Sequence, residues 1–573
     1  MRKKFWFYFL TVGILVPRLF CQVSSSDGPV PPRNSPAADE LKILKERIAQ
    51  QSEQLKKLQQ AVEEQRKLLD QIVEAAESAT ARIRREDEAV IATTTASAAP
   101  LTLQPAVDRT SRGGIVLGRG GQNLQARNPS PLGITIGNTT FTPLGFVDFT
   151  WFGRSTNVGS GIGTNFGGIP FNNNVSSHIT ENNFSTQNSR IGFRVDSIVA
   201  GAKVLGYFEA DFLGNQPANV FVTSNSDTFR MRNVFVDLQK GKWEILGGQD
   251  WSMFTPNRKG LSPLPSDIFY TQNMDTNYQA GLVWSRQSQF RLVFHPNKDW
   301  NLGLSLENPQ QYIGGSGGLN GSAITLPAAP NIAAMASQFN NNAVAIGNVT
   351  GAQNYATPNL HPDIVIKTAY DGHAGDKLLH LEAGALVRSF KGTYASTTTP
   401  VRYNSSTTTA VTGSVNANLE VFRNVKLIAN TFFGEGGGRY VFGLAPDVII
   451  RPDGTLSPIH TYSTVDGIEA NVSKNTSIDA YYGAVYIGRQ TAIDTNGLSI
   501  GYGFPGSSNS DNRTVQEYTF GLTQTFWKSS NYGALSLINQ YSYLSRNPWA
   551  VAIGAPKAAH SNIYYINLRY TLP

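Results

Sequence analysis

From residue 189 to residue 248 the chain alternates between apolar and charged positions. Ile191, Phe193 and Val195 interleave with Arg190, Arg194 and Asp196. After a break at 197–201, Val204, Phe208, Ala210 and Phe212 take one parity, and Glu209 and Asp211 the other. A third run, 228–238, sets Arg230 and Arg232 opposite Phe229, Met231 and Phe235, and a fourth covers 243–248. Successive side chains of a strand point to opposite faces, so each run predicts a strand with one apolar and one charge-bearing face. A soluble sheet buries its apolar face. A membrane β-barrel turns that face to lipid and lines its lumen with polar groups.

The same pattern continues to the C-terminus. It predicts strands at 143–154, 187–197, 202–213, 227–239, 242–250, 278–295, 299–308, 363–371, 378–390, 410–422, 425–433, 463–473, 476–488, 515–527, 532–544 and 561–570. Splitting 278–295 at Gln287-Ser288 gives seventeen, but its apolar parity runs unbroken through Tyr278, Ala280, Leu282, Trp284, Phe290, Leu292 and Phe294. Sixteen also satisfies the even count of bacterial barrels. The long connections (155–186, 214–226, 251–277, 309–362, 391–409, 434–462, 489–514 and 545–560) then fall on one side and short turns on the other. A soluble sandwich has no reason to sort loops in this way. The expected fold is an all-β transmembrane barrel of 16 antiparallel strands, with 18 as the alternative, preceded by an α-helical coiled coil. The terminal strand, 562–570, alternates and is aromatic near its end, similar to the signal by which outer-membrane barrels are recognised for insertion.

Ahead of the barrel, expected at 141–573, lie four segments. Residues 1–21 read as a secretory signal peptide, with Arg2, Lys3 and Lys4 before an apolar stretch too short to span a bilayer. Residues 22–40 are a Ser/Pro-rich disordered linker. Residues 41–83 carry six heptads of a coiled coil, with Leu41, Ile48, Leu55, Val62, Leu69, Ala76 and Ile83 at a, and Leu44, Gln51, Leu58, Gln65, Ile72 and Ala79 at d. The rod would be roughly 65 Å long; a charged single helix is the alternative. Residues 84–140 are linker.

Composition narrows the function classes. The single cysteine is Cys21, at the end of the signal, so the mature chain has no thiol chemistry. Bulky Phe20 argues against lipidation of Cys21. The net charge of +7 is spread out and includes the three signal cations, so no nucleic-acid partner is expected. Gly314–Gly318 matches G-x-S-x-G formally, but in a Gly-rich loop with no following helix. His361, His373 and His380 lack metal-ligand spacing. The chain is expected to be no enzyme and to need no cofactor or metal. By parity Arg190, Arg194, Glu209, Asp211, Arg230, Arg232, Arg291, Lys367, His380, Glu382, Arg388 and Arg569 face inward. The connection 251–277 adds Arg258, Lys259 and three prolines that stiffen it. The pore-lining set is therefore Arg190, Arg194, Glu209, Asp211, Arg230, Arg232, Arg258, Lys259, Arg291 and Arg388; a constriction at that third loop is what a likeness to large porins, whose third loop folds inward, would imply. Counting six of its basic residues against Glu209 and Asp211 leaves four positive charges, hence anion preference. The competing reading pairs these charges across strands so that they only stiffen the wall.

The ordered stretches Asn188-Ser189-Arg190-Ile191-Gly192-Phe193-Arg194, Glu209-Ala210-Asp211-Phe212, Arg230-Met231-Arg232, Gly248-Gln249-Asp250-Trp251-Ser252, Leu306-Glu307-Asn308-Pro309 and Pro362-Asp363 resemble the DcaP-like trimeric porins of Gram-negative outer membranes. The resemblance covers nearly the whole chain. It implies a homotrimer in outer-membrane lipid, a periplasmic coiled coil, and passive uptake of small, often anionic solutes such as dicarboxylates. A structural anchor whose coil contacts peptidoglycan is the alternative function.

Overall fold

The computed structural model describes residues 130–214, 228–272, 278–314, 324–339, 359–442 and 444–573, together with Glu53 and Lys56. The signal peptide, the first linker and, apart from helical Glu53 and Lys56, the coiled coil lie outside the described residues, as does 84–129 of the second linker.

Sixteen strands form the wall. They are β1 (Thr139–Arg154), β2 (Arg190–Val199), β3 (Ala202–Asp211), β4 (Arg230–Lys240), β5 (Trp243–Trp251), β6 (Arg286–Phe294), β7 (Trp300–Glu307) and β8 (Asp363–Ala374). The others are β9 (Lys377–Ala395), β10 (Tyr403–Phe422), β11 (Val425–Glu435), β12 (His460–Asn471), β13 (Thr476–Ile487), β14 (Asn512–Ser529), β15 (Gly533–Pro548) and β16 (Ala559–Thr571). Each pairs antiparallel with the next, and β1 pairs with β16 over Phe146–Arg154, closing the ring. Ile134–Ile136 and Glu181–Ser185 join the same sheet but add no wall strand, because both lie against β1 in line with its neighbours. Sixteen therefore stands over eighteen.

Closure follows from the medium. The bilayer core offers no water to an unpaired backbone N–H or C=O, so a spanning sheet must have no free edge. The same medium inverts the usual polarity. Ile191, Met231, Ile245, Phe290, Leu304 and Ile366 stand exposed on the outer face, while Arg190, Glu209, Asp211, Arg232, Arg291 and Lys367 are buried inside. The wall connections sort as expected. Seven short turns (200–201, 241–242, 295–299, 375–376, 423–424, 472–475 and 530–532) lie at one end, and the longer connections at the other.

Three local expectations are corrected. Residues 278–285 are not strand; β6 begins at Arg286. Ala280, Leu282 and Trp284 keep the parity of Phe290 and Leu292 but pack into buried clusters, whereas Phe290 is exposed. Alternation alone does not separate a lumen-packed loop from a lipid-facing strand. The connection 391–409 is mostly hairpin, since β9 and β10 stay paired out to Ala395↔Tyr403. In β4 a bulge opposite Glu209/Ala210 turns both Arg232 and Asn233 inward and shifts the parity beyond them. Phe235 therefore faces the lumen, stacked on Tyr207 at 5.3 Å, and not the lipid with Met231. A bulge inserts one residue and so re-aims every side chain after it.

The connection 252–285 folds into the barrel. Ser252 N–H donates to the Ser285 carbonyl at 2.8 Å, tying its neck. Its far limb lies flat on β13, where the Gly483 position abuts the Ala280 carbonyl and has no room for a Cβ. Gly281, at φ +96°, is similarly pressed against the backbone of Thr464 and Ala484. Gly483→Val is expected to leave a folded, heat-modifiable barrel while lifting this limb from the wall. Limited proteolysis within 278–285 should then become faster than in the unmodified protein.

Candidate functional site

The third loop owes its path to a chain of polar anchors. Its elbow is held from β8 and β9: Lys367 Nζ donates to the Thr255 carbonyl at 2.8 Å and to Asn257 Oδ1 at 3.1 Å. Asn257 N–H donates to Glu382 Oε1 at 3.0 Å, and Gly260 N–H to Asp371 Oδ2 at 2.9 Å. His380 bridges those two carboxylates, with Nδ1 2.8 Å from Asp371 and Nε2 3.3 Å from Glu382. Further along, Arg258 makes a two-pronged contact with Glu469 of β12 at 2.6 and 2.8 Å. Burial alone would lower the Arg258 guanidinium, but Glu469 and Tyr481 hold it above its ordinary value. Ala280 N–H reaches Glu517 Oε2 of β14 at 2.8 Å. The loop therefore crosses the lumen from β5 to the wall formed by β8 to β14.

The predicted residues fall into six places. Arg190, Glu209, Asp211, Arg230 and Arg232 form one cluster. Arg232 Nε sits 2.6 Å from Glu209 and its Nη1 2.7 Å from Asp211; Arg230 grips Asp211 at 2.8 and 2.9 Å; Arg190 lies 3.7 Å from Glu209. Arg194 stands apart, on Asp196 of its own strand at 2.6 Å. Arg291 meets Asp250 at 3.4 Å, and Arg258 meets Glu469. Arg388 belongs to a separate buried network with Asp363 (3.0 Å) and Asp447 (2.8 Å), joined by Arg439 and the Tyr440 hydroxyl. This network pins the connection 436–459 inside the barrel. Burial raises the Asp447 carboxyl above the usual range, and Arg388 pulls it back. Lys259 is exposed and forms no ion pair among the described residues.

The subtraction that left four free positive charges does not hold. Asp196 and Glu469, which it left out, take Arg194 and Arg258. Wall carboxylates on other strands also face inward, among them Asp250, Glu307, Asp363 and Glu517. Parity would have found Glu469 and Glu517, which alternate with outward Ile468 and Tyr518. It would not have found Arg286 or Arg439. Arg286 continues the outward parity of Phe290 yet its guanidinium lies 5.1 Å from the centre of the Trp251 ring, which Arg232 also approaches, at 5.7 Å. Of the G-x-S-x-G stretch, residues 315–318 lie outside the described residues. His361 Nδ1 contacts only its neighbour's Pro362 carbonyl, and His373 is exposed. Among the described residues no group of His, Cys, Asp and Glu is arranged to hold a metal.

A closed ring of sixteen antiparallel strands, apolar outside and charged within, with its third long connection folded into the lumen, defines a transmembrane β-barrel of the porin fold. The chain is similar to the outer membrane channel DcaP of Acinetobacter baumannii, with a TM-score of 0.50 and 16% identity over 76% of this chain and 98% of that chain. It is also similar to an anion-selective porin from Comamonas acidovorans, with 12% identity over 76% of this chain and 99% of that one and a TM-score of 0.42. For Salmonella typhi OmpF in complex with daunomycin the values are 11%, 77%, 99% and 0.40. No family model matches the chain, and no curated protein matches it.

Removing one side of the Arg258–Glu469 pair should strand a buried carboxylate. Arg258→Ala is expected to destabilise the loop's seat by about 3 kcal/mol, read as a lowered unfolding midpoint in detergent. Arg258→Met with Glu469→Gln should recover most of the loss, because the uncompensated charge is gone.

Proposed function

We propose that this chain is an outer-membrane diffusion channel for small hydrophilic solutes, with a preference for anions. The observation that carries the reading is the inward third loop, which narrows a charged lumen while leaving the wall closed. Charges in a bore set the local field on a passing solute. Here the pairing is asymmetric. In two pairs on the long-loop side the carboxylate sits behind the guanidinium: Arg230 is 38% exposed against 0% for its partner Asp211, and Arg439 is 11% against 0% for Asp363. Arg286 adds a guanidinium with no ion pair among the described residues. A solute entering from that side meets cation edges first, and a low-dielectric wall strengthens their field.

Toward the short turns the bias reverses. Asp196 is more exposed than Arg194, and Asp371 more exposed than His380. The entry from the long-loop side is therefore the selective step. The wider assembly belongs to the same proposal: a homotrimer in outer-membrane lipid, with residues 41–83 as a periplasmic coiled coil that contacts peptidoglycan.

Reversal potentials in a salt gradient test the sign. The unmodified channel is expected to pass chloride over potassium. Arg230→Ser with Arg286→Ser should lower that permeability ratio roughly twofold or more, because two guanidiniums of this side are lost. An unmodified channel that prefers potassium contradicts the anion assignment, and a ratio untouched by the double replacement moves the filter away from this cluster.

A further inference from the structure

Three neighbouring strands carry outward aromatic rings at one level. Phe433 of β11 stands opposite Tyr462 of β12, and Tyr462 opposite Tyr486 of β13. All three are exposed, while Phe432, Thr461, Ser463, Val485 and Ile487 beside them are buried inward. Tyr486 lies ten residues beyond Thr476, the short-turn end of β13. Ten residues of strand tilted by about 40° rise roughly 25 Å, the height of the apolar band of a membrane barrel. Aromatic side chains collect where hydrocarbon gives way to headgroups, so this row sits at that boundary on the long-loop side.

Trp549 lies just beyond the row. Its ring meets Tyr486 edge-on at 6.0 Å, its Nε1–H donates to the Ile487 carbonyl at 3.0 Å, and its backbone N–H donates to the Asp511 carbonyl at 2.9 Å. Two guanidiniums converge on this ring, that of Arg489 at 4.3 Å and that of Arg513 at 5.8 Å from its centre. Arg513 is the extra residue of a bulge, since Asn512 pairs with Pro548 and Thr514 with Asn547, and a bulge turns its extra residue out of the ladder. Both arginines are exposed, and neither side chain has a hydrogen bond or ion pair among the described residues. The acidic residues of 488–511 are Asp494 and Asp511, and 549–558 has none. Those two carboxylates are buried and accept from the backbone N–H groups of Ala328 and Gly503 at 2.7 and 2.9 Å. Two like charges are thus gathered on one indole with no carboxylate between them. Cation–π attraction at an exposed site is weak, whereas an anion placed between the guanidiniums relieves their repulsion. Arginine matches phosphate oxygens with two parallel N–H donors.

We infer that Arg489, Trp549 and Arg513 form a binding site for the phosphate of an anionic lipid on the outer face of the barrel. The two guanidiniums hold the phosphate oxygens, and the rings of Trp549 and Tyr486 lie against the adjoining acyl chain. A free phosphate would use the cations but not the apolar face that continues below them. The inference rests on reading the chain as a membrane barrel, and it adds a lipid contact to that reading.

Native mass spectrometry of the full-length protein in a non-ionic detergent tests it, with dioleoyl phosphatidylglycerol or dioleoyl phosphatidylcholine added. The unmodified protein should retain phosphatidylglycerol in preference. Arg489→Ser with Arg513→Ser should lower the occupancy of the first bound phosphatidylglycerol roughly tenfold and leave phosphatidylcholine unchanged. Equal retention of the two lipids by the unmodified protein, or a preference untouched by the double replacement, would overturn the proposal. Displacement of the lipid by millimolar inorganic phosphate would overturn it too, since the site would then serve a free anion. Should the double replacement fail to fold, Arg489→Gln alone should lower the occupancy roughly threefold, and no change there has the same force. Conductance in phosphatidylcholine bilayers keeps the two readings apart. A conducting protein that retains both lipids equally removes only the lipid site, and a barrel that keeps the preference but does not conduct removes only the channel.

Discussion

Everything in this fold depends on hydrogen-bond closure. A sheet in hydrocarbon is stable only if every backbone donor and acceptor on its strands finds a partner in the sheet. β1 shows how this chain meets that demand. It pairs with β2 from Thr139 to Phe146 and continues along Glu181–Ser185 on the same side, while β16 covers Phe146–Arg154 on the other and Ile134–Ile136 completes its lower end. The two short segments that look like extra strands fill edge positions that the stagger of the ring would otherwise leave open.

Closure fixes the outer face as apolar, and the charged positions must then be accommodated inside. They are accommodated in pairs. Strands two and three place Arg190 beside Glu209, and the bulge in β4 brings Arg232 between Glu209 and Asp211. The same pairing logic recruits the loops. Carboxylates of the wall at Asp371, Glu382, Glu469 and Glu517 accept from the third loop, and Asp363 and Asp447 hold the connection 436–459 through Arg388 and Arg439. Breaking one partner of such a pair leaves a buried charge, so each pair penalises a loop that leaves its seat. The connections inside the lumen are thereby fixed to the wall at several points.

Much of this architecture was legible in the sequence because strand parity and loop length are local properties. Alternation placed the charges of β2 to β4 on one face, and the sorting of long and short connections gave the orientation of the strands. Legibility ended where one residue changes a phase or where partners lie far apart. The bulge at Arg232 and Asn233 moved Phe235 indoors without any compositional sign. Ala280, Leu282 and Trp284 carry a perfect strand alternation but spend it on packing inside the barrel. Arg258 and Glu469 are 211 residues apart, and nothing local to either names the other. The charge count misled for the same reason: it compared neighbours in sequence, whereas neutralisation is settled by neighbours in the ring.

The central claim is that a hydrated path persists beside the inward-folded loops. Single-channel recording of the purified, unmodified protein in a planar bilayer tests it directly. The account predicts discrete conductance steps that grow with salt concentration and remain open at low voltage. A protein that inserts as a folded barrel yet produces no steps would contradict it, and would leave a membrane anchor as the role of the chain.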